Sequence, residues 1–438
     1  MSQDSGRQFL PDNPVSDYQR KPTANAAQDR SERNAPASLE DRPMMPPQDD
    51  RPYSGLLVLD MAQGMAGPYC ATMLGRYGAD VIKIEPPQGD WIRLMGGGAD
   101  GMTPLTVVNN IGKRSICIDA AKPAGRAIVE KMVERADVII ENNRPGVMTK
   151  LGLDYARLSA INPGLVYVSI TGFGDSGPYV NKPGTDSVVQ GMTGMAIANK
   201  DAAGTPRRIG IVVPDTITAM YGAQAVGAAL YARDRKPGGR GRHLRLSLAE
   251  SCIAFQAGHI VDDFVFAGQY KPPITVPSGV FPTRDGNVIL VTLRDAMWEG
   301  LCRALDREAW LTEPRYASRT QRSACAEEIN RLIADITRSR NTKDWEALFD
   351  KHDVLCGRVQ NYAQLREDPQ VRHMGYFAET DQPPYGKLPI PNIPGVPRGE
   401  DLPPAPQCGQ HSREILAEFG YGAEEIAAFE QAGMTKQV

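Results

Sequence analysis

Short apolar runs alternate with amphipathic stretches from residue 55 onward. Residues 56–60 (LLVLD) have the length and composition of a strand buried on both faces. Gly67-Pro68 then opens a helical stretch, because proline suits the first turn of a helix, and 80–85 (DVIKIE) reads as the next strand. Strand, helix, strand at this spacing predicts a right-handed βαβ unit. The rhythm repeats through 115–120 (SICIDA), a helix over 123–136, 137–142 (DVIIEN), a helix over 145–151 and 165–173 (LVYVSITGF). It predicts an α/β fold built on a doubly wound, mostly parallel, Rossmann-like sheet. The turn after the first strand reads AQGMAGP and carries no GxGxxG fingerprint, which argues against a dinucleotide ligand.

From about residue 271 the pattern changes. SGVFPTRDGNVILVTL reads as two strands about an Asp-Gly turn. Helical patterns follow at 296–306, 324–338 and 342–351, the last with Trp345, Leu348 and Phe349 on one face. The expected organisation has four parts. Residues 1–52, polar and proline-rich, form a disordered extension, or else an arm that orders against a partner subunit. Residues 53–271 are the first part of a large α/β domain with its linker, and 272–358 are a smaller α+β domain. Residues 359–438 are a linker, including the proline-rich 383–406, and a return to the large domain through a last helix near 412–419. The large domain is therefore discontinuous.

Composition narrows the function. A net charge of −3 with both signs mixed gives no electrostatic case for nucleic acid or an anionic membrane as partner. The 7 cysteines are dispersed without a CxxC pair, which indicates a reducing compartment and neither a disulfide frame nor a zinc site. The 5 histidines are far apart in sequence, so no metal site is expected. The basic run RKPGGRGRHLR is short and lacks aromatics, and reads as a turn leading into a strand. Without a membrane-length apolar segment or a targeting pattern at the N-terminus, a cytoplasmic protein is expected.

Two aspartates stand out. Asp215 lies in IGIVVPDTITAMYGAQ, where a β-branched strand reaches a proline and a long helix begins. Free N–H groups and the helix dipole stabilise a carboxylate there and keep it ionised, as a nucleophile requires. A simple N-cap is the commonest role of aspartate at such a place. Asp186, in KPGTDSVVQGMTGM, carries the same two readings. Lys113 and Arg114 precede a strand, whereas Asn142, Asn143 and Arg144 follow one, with Lys150 in the next helix. Ligands of open α/β sheets bind beyond the carboxyl ends of strands, so the second cluster suits phosphates and an adenine. Solvated charged loops are the alternative for both.

These residues sit in text that resembles the class III CoA-transferases, whose relatives include formyl-CoA transferase, carnitine CoA-transferases and α-methylacyl-CoA racemase. The similar segments are LLVLDMAQGMAGPYCATMLGRYGADVIKIEPPQGD, NNIGKRSICID, ADVIIENNRPGVMTKLGLDY, VYVSITGFGDSGPY, PGTDSVVQGMTGM, VVPDTITAMYGAQAVGAAL, GGRGRHLRLSLAE and DPQVRHMGYF, in the family's order from about residue 52 onward. The resemblance implies that Asp215 is the nucleophile, forming an aspartyl anhydride and then an aspartyl-CoA thioester, and that Asp186 assists at the acyl site. It places coenzyme A against Met65, Ala66, Asn110, Lys113, Asn142, Asn143, Arg144 and Lys150. It implies an acyl-CoA donor, a carboxylic acid acceptor, no permanently bound cofactor or metal, and an interlocked homodimer. The sequence departs from formyl-CoA transferase at Pro86 and Met65, which replace an arginine and a glutamine. It also has PSGVFPTRDG in place of a triple-glycine loop, which points away from formate and oxalate as substrates. Succinyl-CoA and a second dicarboxylate are the expected pair. The rival racemase branch has a histidine where this chain has Thr185, so an α-proton shuttle lacks its base. A non-catalytic acyl-CoA binding protein would be marked by loss of the nucleophile, and Asp215 is present.

Overall fold

In the first βαβ unit, strand β1 (Leu57–Asp60) is followed by the helix Ala66–Arg76 and by β2 (Asp80–Glu85). Pro68 sits in the helix's first turn, where its missing N–H costs nothing, and the helix stops before Gly78, whose φ of 109° demands glycine. Strands β3 (Arg114–Cys117), β4 (Val138–Glu141), β5 (Val166–Thr171) and β6 (His243–Ser247) complete one sheet in the order β3-β2-β1-β4-β5-β6, with every pairing parallel. This computed structural model describes residues 50–201, 203–268, 275–399 and 401–437. Nearly all of the extension expected at 1–52 lies outside the described residues.

Helices cover both faces, which is why β1 and β4 are buried along their whole length. Val58, Val138, Val168 and Ile170 face the helices Ala66–Arg76 and Pro214–Asp234. Leu59, Ile82, Ile139 and Tyr167 face the other way, toward Ile128, Leu158 and the C-terminal residues Ile415, Leu416 and Phe419. The C-terminal segment also binds the β3 edge, where the His411 N–H donates to the Ser115 carbonyl at 2.9 Å and the Cys117 N–H to Ser412 Oγ at 3.2 Å.

A separate antiparallel sheet joins β7 (Ser278–Pro282), β8 (Asn287–Val291) and β9 (Leu355–Arg358). Its core holds Trp298, Leu301, Ile333, Trp345 and Phe349, with Leu348 packed beside them. A hairpin of β10 (Phe377–Gln382) and β11 (Gly386–Pro391) occupies the start of the proline-rich stretch expected to be a linker. Two residues of that stretch, Ile390 and Ala405, pack with Met102, Val107 and Ile111. A helix at Ala423–Gln431 follows the expected one at Ser412–Glu418. The strand expected over 209–213 is absent, because β6 takes the place beside β5 and the segment is held by side chains instead. No described helix is long and apolar enough to cross a membrane.

Candidate active site

The strand order reverses between β1 and β4, so the loops that leave these strands flank a crevice at the carboxyl edge of the sheet. Asn142 closes the crevice. Its Oδ1 accepts the Gln63 N–H at 2.8 Å and its Nδ2 donates to the Gln63 carbonyl at 2.6 Å. The flanking backbone is held from below by buried side chains. Asp60 accepts the Ala62 N–H, Lys83 donates to the Ala62 carbonyl, Asp90 accepts the Gly64 N–H at 2.9 Å, and Asn109 donates to the Gly64 carbonyl at 3.1 Å. Gly64 has φ 78°, and a Cβ there would lie 2.3 Å from the Trp91 ring, so only glycine fits. The loop delivers Met65 and Ala66 to the start of the Ala66–Arg76 helix.

Lys113 and Asn110 belong to the support of this loop and not to its ligand face. The Lys113 ammonium is buried and lies 2.7 Å from Asp60 Oδ2, 2.8 Å from the Pro68 carbonyl, 2.7 Å from the Asn109 carbonyl and 3.1 Å from Asn110 Oδ1. Asn110 donates its remaining group to the Thr106 carbonyl. In this structure three ammonium protons are shared among four internal acceptors, so both of these expected CoA contacts are turned toward partners within the protein. Burial, and then the Lys83 cation against the pull of Asp60, bring the Lys113 amine down to about 8. Lys83 lies 3.6 Å from Asp60 and 3.1 Å from Asp90, so two lysines and two aspartates form one buried, charge-balanced cluster.

Asn143, Arg144 and Lys150 lie on the outer side of the β4 loop. Asn143 donates to the Met148 sulfur, and its N–H meets Glu141 at 2.8 Å. Arg144 and Lys150 are exposed. Asn143 and Arg144 line a cavity of about 320 Å³ with Tyr155, Ser169 and His243. Tyr167, which shares that cavity, faces away from the Pro214–Asp234 helix, so the cavity opens on the opposite face of the sheet. His243 bonds to Ser169 at 2.8 Å, stacks on Tyr155, and is held near 4 by burial first and the Arg245 charge second.

Asp215 occupies the carboxyl edge by topology. Strands β5 and β6 are parallel, so the connection between them must return across the sheet, and the Pro214–Asp234 helix makes that return. Its N-terminus therefore lies at the same edge as Met65. The two helices pack closely where Gly222 meets Cys70, since a Cβ at 222 would sit 2.9 Å from the sulfur. At 1.5 Å per residue, Ala66 and Asp215 are roughly 6 and 10 Å along their helices from that contact.

Neither aspartate caps its helix. No side chain caps the helix at Pro214, and among the described residues no donor reaches the half-buried Asp215 carboxylate. Burial first, and Asp186 second, push Asp215 up from 3.8 to about 7. The expected permanent ionisation by the helix end thus gives way to a carboxyl poised near neutrality. Asp186 Oδ1 accepts from Gln190 Nε2 at 2.7 Å, whereas its buried Oδ2 has no partner. The site so formed pairs a desolvated carboxyl with a second carboxylate beside a preorganised loop. Such a pair can divide nucleophilic and proton-handling work. Gln190, Lys83 and Asp90 had no sequence signal beyond polarity, although a lysine inside the apolar strand 80–85 was a cue for a buried ion pair. Among the described residues, no group of histidine, cysteine, aspartate and glutamate could hold a metal ion.

Comparisons with known proteins identify the family. The succinate–glutarate CoA-transferase of Agrobacterium fabrum is 34% identical over 84% of this chain and 96% of its own length. The succinyl-CoA–D-citramalate CoA-transferase of Chloroflexus aurantiacus is 30% identical over 87% of this chain and 97% of its own. The crystal structure of a CaiB/BaiF family protein from Brucella suis superposes with a TM-score of 0.77 at 31% identity, covering 85% of this chain and all of that one. Residues 53–412 match CoA-transferase family III, and the chain belongs to that family and is a CoA-transferase.

Proposed function

We propose that this enzyme moves CoA from succinyl-CoA to a free dicarboxylic acid, with Asp215 as the nucleophile. The observation that carries the reading is a carboxyl without hydrogen-bond donors, half-buried and coupled to Asp186, at the edge where the preorganised loop ends. An Asp215 oxygen attacks the donor's thioester carbonyl and CoA leaves as thiolate, giving a mixed anhydride. The thiolate attacks the aspartyl carbonyl and expels the donor acid, leaving an aspartyl-CoA thioester. The acceptor carboxylate displaces CoA from it, and the thiolate then takes the acceptor's acyl carbonyl and frees Asp215. Asp186, with its unpartnered Oδ2, assists at the acyl site by accepting the proton that a neutral Asp215 must lose before it attacks. Met65, Ala66, Asn142, Asn143, Arg144 and Lys150 contact CoA, with Lys113 and Asn110 beneath them.

Relatives whose names specify succinate or succinyl-CoA support the donor. Thr185 supports transfer over racemisation, and His243, on the other sheet face, supplies no base at Asp215. A second copy of the chain covers the helix Ala257–Val265, which buries no residue and exposes Ile260, Val261, Phe264 and Val265. Incubation with succinyl-CoA and hydroxylamine should leave a hydroxamate on the peptide that carries Asp215. Consumption of the donor with that peptide unmodified would refute the mechanism.

A further inference from the structure

We infer that Arg208 selects dicarboxylic acids by gripping the carboxylate that does not react, an inference that rests on the reading of Asp215 as the acyl-accepting group. The segment before the Pro214–Asp234 helix has no strand partner and is tied to the helix Asp186–Met192 instead. Gln190, fully buried, donates to Asp186 at 2.7 Å and accepts the Ile209 N–H at 2.9 Å. One residue earlier, Arg208 Nη1 donates to Ser187 Oγ. A guanidinium therefore stands beside the residue that follows Asp186, and Asp186 shares its field with Asp215.

The neighbouring Arg207 is occupied by Asp201, through contacts of 2.9 and 2.8 Å. Arg208 is exposed, and among the described residues no carboxylate pairs with it, which leaves part of its fork free. From Arg208 to Asp215 the chain is otherwise apolar, with Ile209, Ile211, Val212 and Val213. A diacid entering a site that already holds two carboxylates meets like-charge repulsion, and a cation at its far end offsets that repulsion. Arginine suits the task because its planar fork matches a carboxylate in two-point contact.

The test compares glutarate with pentanoate, which has the same chain length and a methyl group in place of the distal carboxylate. In a double-displacement reaction kcat/KM for the acceptor does not depend on the donor, so the two acids compare directly. The wild-type enzyme should prefer glutarate by about tenfold to a hundredfold, the range of one charge-assisted contact. Arg208→Gln should lower kcat/KM for glutarate more than for pentanoate by that same factor, and Arg208→Lys should recover part of it. Equal losses on both acids, or a wild-type enzyme without preference, would overturn the assignment while leaving the transferase reading intact. Failure of the wild-type enzyme to pass CoA to any carboxylate, with no hydroxamate at Asp215, would instead sink the underlying reading.

Discussion

A carboxyl that titrates at about 7 must leave its mark on the pH dependence of transfer. In the proposed mechanism the Asp215 carboxylate is the attacking form, so kcat/KM should rise with pH through a midpoint near 7 and level off above it. The rise from 3.8 to about 7 corresponds to roughly 4 kcal/mol. Burial is its larger cause, so the charge on Asp186 accounts for less than half, at most roughly 2 kcal/mol. Asp186→Asn keeps the shape and removes the charge. It should move the midpoint down by roughly one pH unit, whatever it does to the plateau. A group with a midpoint of 7 is about one-tenth ionised at pH 6, and one with a midpoint of 6 is half ionised. Activity at pH 6, relative to each protein's own plateau, should therefore rise about fivefold in the variant. The assay is the consumption of succinyl-CoA with a fixed acceptor from about pH 5 to 9, each series normalised to its plateau. A midpoint that stays in place or rises in Asp186→Asn would refute the electrostatic coupling.

Asp215→Asn should lower transfer by several orders of magnitude while CoA still binds. The folded-state value of Asp215 lies above its unfolded value, so its contribution to stability falls as pH rises from about 4 to 7; the variant should melt higher than wild type at pH 8, by up to about 4 kcal/mol and less where water reaches the carboxyl, with the difference vanishing near pH 4. Lys113→Ala leaves Asp60 short of a buried cation and should cost about 3–5 kcal/mol in denaturant unfolding, where a surface phosphate contact would cost almost nothing. Arg144→Ala and Lys150→Ala should raise KM for acyl-CoA more than they lower kcat, and an unmoved KM in both would make them plain surface charges. If a second copy covers the helix Ala257–Val265 as proposed, replacing Val261 and Phe264 together by aspartate should shift the sedimenting species from dimer to monomer; a monomeric wild type or an unchanged dimer would refute that contact.

The parallel sheet was legible because strands buried on both faces announce themselves as apolar runs, and 56–60 and 137–142 do so clearly. Segment 209–213 (IGIVV) was misleading for the same reason. Its β-branched residues look like a strand, yet strand character needs a free neighbour, and β6 already occupies the edge beside β5. The hairpin at 377–391 was hidden by the prolines, which sit on a two-stranded sheet where lost donors matter little. Asp215 and Asp186 could be singled out by their place before helices. Their coupling could not be read, since it depends on two segments about thirty residues apart meeting through Gln190.

The support of the 61–65 loop marks where single-residue reasoning ends. Asp60, Lys83, Asp90 and Lys113 come from four segments, and each alone would be assigned to the surface, because lone charges are almost never buried. They are buried together because the loop's own backbone lies inside the fold, where every N–H and C=O needs a partner. From Ala62 to Gly64 all six such groups are met by side chains: Asp60 and Lys83 at Ala62, Asn142 at Gln63, Asp90 and Asn109 at Gly64. An apolar core could not supply those bonds. The consequence reaches function through entropy. If CoA contacts Met65 and Ala66 as proposed, a loop whose backbone is already fixed gives up little freedom on binding, so more of that contact energy is available. The charged cluster thus fixes the loop from beneath, and the bonds of Lys113 to Asp60 and to the Pro68 and Asn109 carbonyls explain why that lysine points inward.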